Sequence, residues 1–270
     1  MLFLCPKCMK RLTVRDGSAV CEAGHSYDRC RAGYYNLLMS NKSSSHGDNK
    51  QMVEARRIFL SGGYYKPLSD AIAETVCENT EALAAVLDAE AGEGYYTDAV
   101  ERALYDRDGD SRVYAFDISK DAVREIGKKN KRISLAVAGS YHMPIADGDF
   151  DAVVNTFSPL ALSETARVLR TGGIFVMAIP DTEHLFELKA AIYDTPYKNE
   201  VADTSLDGFE LISDRSIKYV MHLPDRESIA ALFGMTPYAY RTGAESRERV
   251  YSLDKLDCTA AFRLLLYRKT

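Results

Sequence analysis

The stretch Leu83-Ala-Ala-Val-Leu-Asp-Ala-Glu-Ala-Gly-Glu-Gly-Tyr-Tyr96 decides the fold. Its apolar start, Leu83 to Asp88, predicts a buried strand; Gly92 and Gly94 predict a tight turn, and a helix follows. A strand that passes through a glycine turn into a helix N-terminus is the nucleotide-binding entry of an α/β fold. Free amides and the positive end of the helix dipole meet the ligand there. The next apolar run, Val113-Tyr-Ala-Phe-Asp117, ends on a carboxylate placed to suit the two ribose hydroxyls of an adenosine ligand. One residue departs from the pattern: Glu90 stands where such turns usually carry their first glycine.

From this stretch onward strands and helices alternate. The pattern predicts strands at about 83–88, 111–117, 132–138, 151–157 and 173–179, and helices at about 95–105, 119–130, 163–170 and 182–192. Such alternation implies a parallel, doubly wound sheet, whose ligands bind beyond the C-terminal strand ends. Five segments converge there: Asp88 to Gly94, Asp117-Ile118, Gly139 to His142, Asn155 to Pro159, and Pro180 to His184. His142 is a proton-acceptor candidate by position only, and a lone histidine is more often a surface or packing residue. A tail with strands near 210–221 and 257–268 and a short helix at 225–233 carries no chemical motif.

Upstream lies a different kind of segment. Cys5-Pro-Lys-Cys8 and a second close pair, Cys21 and His25, bracket a hairpin-length spacer, the spacing of four ligands around a tetrahedral zinc. With all four positions filled by protein, the zinc is structural and holds a segment too short to bury its own core. Cys30 is the rival ligand, whereas Cys77 and Cys258 read as core residues. The expected organisation is a zinc-binding module at 1–39, which the family resemblance given below makes an RNA-recognition module, a linker and packing helices at 40–80, and a body at 81–270. Within the linker, Asn41 to Asn49 reads as a mobile polar loop; Asp48 is the expected cap of a helix from Lys50 to Leu60, and another helix starts near Pro67.

The charge is uneven. Residues 1–66 hold eleven Lys/Arg against five Asp/Glu, a balance of +6, which leaves −11 for the rest of a chain whose net charge is −5. A basic head on an acidic body suits a polyanionic partner, although a solvated basic face explains the same count. Tyr34, Tyr35, Tyr64 and Tyr65 beside Arg and Lys suit stacking on bases, or packing between head and body. Apolar runs such as Ile174 to Ile179 are too short to span a bilayer, and the N-terminus has no signal-peptide pattern. These features predict a cytoplasmic protein with no membrane partner and with its cysteines reduced or metal-bound.

The order of parts resembles the class I methyltransferases, which use S-adenosylmethionine. Asp88-Ala-Glu-Ala-Gly-Glu-Gly94 corresponds to their glycine loop, Asp117 to the acidic end of their second strand, Asp147-Gly-Asp-Phe-Asp-Ala-Val153 to the entry of the fourth, and Leu169-Arg-Thr-Gly-Gly173 to the entry of the fifth. A narrower resemblance spans the chain. The zinc spacing at 5–25, Gly33-Tyr-Tyr-Asn-Leu-Leu38, Glu54-Ala-Arg-Arg-Ile-Phe-Leu60, Gly63-Tyr-Tyr-Lys-Pro-Leu68, Gly92-Glu-Gly-Tyr-Tyr96 and His184-Leu-x-Glu-Leu-Lys189 together resemble the 23S ribosomal RNA guanine-N1-methyltransferases.

That resemblance implies methylation of a guanine at N1 in the hairpin-35 loop of 23S rRNA, by a homodimer. It also implies Cys5, Cys8, Cys21 and His25 as zinc ligands, donor contacts from Tyr65, Gly92, Glu93 and His184, and Asp117 at the ribose. Asp88, Glu90, Gly94 and Ile118 complete the expected donor site. Amino-methyltransferases of this class hold their target at the end of the fourth strand. Here that end is Asn155-Thr-Phe-Ser-Pro159: Phe157 is placed to stack on a flipped guanine, with Asn155 or the Ser158 carbonyl at its edge. A plain loop with Phe157 in the core stands equally open. Glu90 keeps two further readings open, a weakened or inactive RNA-binding protein and a small-molecule methyltransferase.

Overall fold

The computed structural model describes residues 1–39 and 49–270. The head contributes a small antiparallel sheet of β1 (Thr13–Arg15), β2 (Ser18–Val20) and β3 (Ser26–Asp28), followed by the short β4 (Tyr35–Asn36). Helices α1 (Lys50–Ser61) and α2 (Lys66–Glu78) lead into the body. There β5 (Ala85–Ala89), α3 (Tyr95–Asp108), β6 (Arg112–Asp117), α4 (Lys120–Lys129), β7 (Ser134–Val137) and β8 (Phe150–Thr156) succeed one another. They continue through α5 (Leu162–Val168), β9 (Leu169–Pro180) and α6 (Phe186–Ile192). The tail adds β10 (Phe209–Leu223), α7 (Arg226–Gly234), α8 (Tyr238–Arg241), α9 (Ala244–Tyr251) and β11 (Leu256–Lys269).

The main sheet has eight strands in the order β10-β11-β9-β8-β5-β6-β7-β4. The pairs from β9 through to β4 are parallel, whereas β11 and β10 run antiparallel. The order reverses between β5 and β8, which opens the crevice at their C-terminal ends. The sheet is therefore a mixed one built on the expected doubly wound class I plan.

Strand alternation divides the core in two. Val86, Val113, Ala115, Leu135, Val137, Val154 and Val176 face one layer, with side chains from α1, α2, α3, α4, α6 and α7. Leu87, Tyr114, Phe116, Ala136, Val153 and Phe175 face the other. Between β7 and β8 there is a single 3-10 turn, Ser140–His142, and no α-helix, so among the described helices α5 alone, through Val168, reaches this second core. The head covers much of the rest. Phe3, Leu12, Ala19, Tyr35 and Leu37 share that core, Phe3 packs edge-on against Tyr114 at 5.7 Å, and β4 joins the sheet beside β7. Gly127 on α4 permits the close approach, because a Cβ there would lie 2.1 Å from the Ala32 carbonyl oxygen.

Several sequence boundaries move. β5 begins two residues late because Leu83 is exposed and left-handed, with φ +65°. β9 starts at Leu169, before Gly173, because Leu169 already pairs with Phe150. The helix expected from 182 starts at Phe186, after a turn through Asp181–Leu185. The cap of α1 is Asn49, whose side chain accepts from the amides of Gln51 and Met52 at 2.9 and 3.0 Å. Asp48 and the polar loop before it lie outside the described residues.

Candidate functional site

Four ligand atoms of the head converge. Cys5 Sγ and Cys21 Sγ each lie 3.4 Å from His25 Nδ1, Cys8 Sγ lies 3.6 Å from Cys21 Sγ, and all four atoms fall within 4.8 Å of one another. A tetrahedron with metal–sulfur bonds of about 2.3 Å has edges of about 3.8 Å, so the cluster has the size of a zinc site. Burial pushes the Cys5 thiol up, but hydrogen bonds from Tyr27 and from backbone amides outweigh it and bring the thiol down to about 6, toward the thiolate that a metal needs. Cys30 stands outside this group. The β2–β3 pairing holds the turn that carries Cys21 and His25, and the Leu4–Arg11 bridge closes the turn that carries Cys5 and Cys8.

The glycine turn follows β5. Gly92 and Gly94 have φ of +58° and +81°, and a Cβ on Gly94 would meet Ile126 at 2.7 Å. Glu90 has φ +65°, so it takes the backbone conformation that a glycine would take. Its side chain turns sideways and accepts a hydrogen bond from the Ser140 hydroxyl, beyond the end of β7. The turn also bonds to β6: Ala91 N–H donates to the Phe116 carbonyl at 3.0 Å and Gly92 N–H to Asp117 Oδ2 at 2.9 Å. Asp117 Oδ1 accepts from the Ser119 amide at 2.7 Å. A carboxylate offers about four acceptor positions, so these bonds leave Asp117 able to take hydroxyl protons as well.

Asp88 does not line the opening. It is buried, accepts from Thr97 Oγ1 at 2.5 Å, and ties the strand to α3. Desolvation pushes its carboxyl up to about 7. Glu93 is only 3% exposed, and Arg56 on α1 approaches it to 3.9 Å while lying over Gly92. Ile118 sits half-buried beside Asp117. The turn thus carries a cation and two carboxylates around backbone amides, a donor set that fits a ligand with ribose hydroxyls, an ammonium and a carboxylate.

On the other side of the turn an aromatic group gathers. Tyr65, from the start of α2, is buried against Phe262 of β11 at 4.9 Å between ring centroids. Phe157 follows β8 with φ +59° and is 41% exposed. Its ring lies 5.5 Å from Phe262, 6.2 Å from Tyr96 and 6.4 Å from His184, with only 13° between the Phe157 and His184 planes. Phe157 therefore stands out of the core, with its exposed part at the crevice. Ser158 Oγ donates to the Glu90 carbonyl at 3.4 Å, and Asn155 is buried at the end of β8.

His184 has a defined protonation state. The Ala261 amide donates to its Nδ1 at 3.3 Å, so the ring proton sits on Nε2 and points at the Tyr65 hydroxyl, 3.3 Å away. Burial, then the Lys189 charge, lower its pKa to about 3, and the ring is neutral. Tyr65 thus accepts from His184 and keeps its own hydroxyl proton for another acceptor.

The structure brings Glu90, Gly92, Glu93, Gly94, Asp117 and Ile118 to one side of the turn and Tyr65, Asn155, Phe157, Ser158 and His184 to the other. His142 is not with the second group: it is exposed on the 3-10 turn, and β7 is separated from β8 by β5 and β6. Four contributors escaped the sequence reading: Arg56, Tyr96, Ser140 and Phe262. The first three lie in or beside quoted motifs. Phe262 and the Ala261 amide come from the motif-free tail, where only the β9–β11 register carries them to the crevice.

Known proteins resemble the chain along its length. A zinc-ribbon family described as "RlmA, N-terminal" matches residues 3–46, and a methyltransferase-domain family matches residues 86–173. A Micromonospora griseorubida protein, named provisionally as a 23S rRNA (guanine-N(1)-)-methyltransferase, is 33% identical over 98% of this chain and 96% of its own. A Bacillus subtilis protein with the same provisional activity is 30% identical over 99% and 97%. The 23S rRNA (guanine(748)-N(1))-methyltransferase of Streptomyces fradiae is 29% identical over 91% and 88%.

Proposed function

Because the chain belongs to the family of 23S rRNA (guanine-N1)-methyltransferases, we propose that it transfers a methyl group from S-adenosylmethionine to N1 of a guanine in the hairpin-35 loop of 23S rRNA. The similarity over nearly the whole chain, zinc head included, carries this reading. The same family reading makes the protein a cytoplasmic homodimer, and no helix among the described residues is long and apolar enough to cross a membrane.

Bound S-adenosylmethionine supplies an electrophilic sulfonium methyl. The chain's residues have three tasks around it. Asp117 would accept from the ribose hydroxyls, with Ile118 beside it toward the base. Glu93 and Arg56, of opposite charge at one turn, suit the ammonium and carboxylate of the amino-acid end. Tyr65, donating its free hydroxyl proton, and His184, which orients Tyr65, close the site beside them.

For the target, Phe157 offers an exposed ring on which a flipped guanine stacks, with other aromatics behind it. With Phe157, Asn155 and Ser158 holding the guanine at the crevice, a bimolecular step would become a positioned one. N1 carries a proton that passes to solvent water on transfer; Asn155 Oδ1 or the Ser158 carbonyl would accept its hydrogen bond and orient that edge of the base. His184 is unsuited to that task because its Nε2 carries a proton and its Nδ1 faces an amide. In the head, Cys5, Cys8, Cys21 and His25 would hold a zinc whose role is to cross-link the fold, since four protein ligands leave no open position.

The test is methyl transfer to a hairpin-35 transcript. A methyl on N1 blocks Watson–Crick pairing, so primer extension should stop at one loop guanine only when donor is present. Salt-sensitive RNA binding without transfer would make the protein a nonenzymatic RNA binder. Transfer to small molecules with no RNA binding would overturn the target.

A further inference from the structure

Among the described residues, β10 is a long open edge. It spans Phe209–Leu223, pairs with β11 on one side, and ends the main sheet on the other. Residues Glu210 to Ser216 are all exposed, and Leu211, Ile212 and Val220 are 41, 41 and 52% exposed. An edge strand with apolar side chains is a template for another strand. We infer that its occupant is β10 of a second copy, paired antiparallel and centred on Ser216. This rests on the homodimer reading above and gives that dimer its surface.

The register follows from symmetry and charge. A two-fold axis normal to a sheet keeps each side chain on its own face, so strands from two copies align with one residue opposite itself. Centring on Asp214, Arg215 or Lys218 sets that charge against its own copy, which is repulsive. Centring on Ile217 leaves Asp214 opposite Val220 and Ile212 opposite His222. Centring on Ser216 sets Asp214 opposite Lys218 and Ile212 opposite Val220, each twice by symmetry, with Ser213 opposite Tyr219. Every charge within 213–219 then faces an opposite or an uncharged side chain.

Bonds within the chain extend the match. Asp214 is already paired with Arg263, and Lys218 with Glu183. Joining Asp214 to the second copy's Lys218 makes a row of four alternating charges on each side of the axis. The ladder shift between Leu211 and Ser213 ends the regular edge, so the hydrogen-bonded pairing runs over Ser213 to Tyr219 of each copy, and Ile212 and Val220 meet just past its ends. The opposite edge of the sheet is β4, next to the head, so the joined sheet carries one head at each end.

The experiment uses full-length protein and sedimentation equilibrium. Asp214→Lys sets Lys against Lys and Lys218→Asp sets Asp against Asp; each should weaken self-association by about tenfold or more. The double exchange, Asp214→Lys with Lys218→Asp, should restore it, a recovery that misfolded protein cannot give. Ser216→Cys provides a second readout. Directly opposed residues have Cα atoms about 4.5–5.5 Å apart, within disulfide reach, so mild oxidation should cross-link the dimer. A wild-type dimer that ignores both single reversals and does not cross-link through Ser216→Cys overturns this surface and leaves the homodimer standing on another face. A monomeric wild type refutes both.

Discussion

Replacing Glu90 by glycine tests whether this turn still serves a methyl donor. The structure sets three opposing terms. A glutamate at φ +65° costs about 1–2 kcal/mol that glycine does not pay. Against that, the substitution deletes a carboxylate that accepts from Ser140, a bond of about 1.5–3 kcal/mol, and leaves a buried hydroxyl without that partner. Glycine also adds about 0.5–1 kcal/mol of unfolded-state entropy. The balance is a loss of about 1–2 kcal/mol, or roughly 2–4 °C in melting temperature for a chain of this size. Glu90→Ala removes the same bond but keeps the strain, so it should melt below Glu90→Gly. Donor affinity should change little. The backbone already holds the glycine-like angle and the side chain is drawn aside, so calorimetry of wild type and Glu90→Gly should give constants within about tenfold. Wild type that binds no S-adenosylmethionine, beside a Glu90→Gly variant that binds it, would refute this reasoning and mark the turn as blocked. Equal melting of the Ala and Gly variants would refute the strain assignment.

The head should be part of the body's core rather than an appendage. Chelating the metal should lower the melting temperature of the whole chain and raise binding of an apolar dye, because the second sheet face loses its cover; Phe3→Ala should cost about 3–5 kcal/mol in chemical denaturation. Metal analysis should find one zinc per chain. Asp88 should impose a pH slope. Its folded pKa of about 7 is above the unfolded value, so its contribution is fully present below about pH 4 and is lost as pH rises through 7. Asp88→Asn, still able to accept from Thr97, should flatten that part of the stability profile. His184 has the opposite sign: its lowered folded pKa makes its contribution present above the unfolded value near 6.5 and lost as pH falls toward 3. Nitrogen NMR should show a neutral ring protonated on Nε2 throughout pH 5–8.

Much of the functional plan was legible along the chain because its signals are local. The cysteine and histidine spacing lies within 21 residues and is set by two turns, so it marked the metal cluster without a fold. Short apolar runs alternating with helices, and the residues that end them, marked β5 to β9, and with them Gly92, Gly94, Asp117 and Asn155 as strand-end residues. Other features join segments far apart in sequence. The fate of Glu90 depends on Ser140, fifty positions away, and the protonation of His184 on an amide 77 positions away. Gly127, which no motif marks, proves to be one of the places where the head touches the body.

By itself the sequence determined the class of chemistry: a metal-binding head, a glycine turn, a carboxylate at the end of the next strand and the strand ends that meet at one crevice. Only the tertiary structure decided that the head is the missing layer over the second sheet face, that Phe157 stands at the crevice rather than in the core, and that Glu90 takes a glycine's backbone with its carboxylate drawn to Ser140. The physical reason is range. Turn and strand preferences act over a few residues and leave their mark in the local order of side chains. Burial and hydrogen-bond satisfaction are settled among segments that meet only when the sheet is assembled.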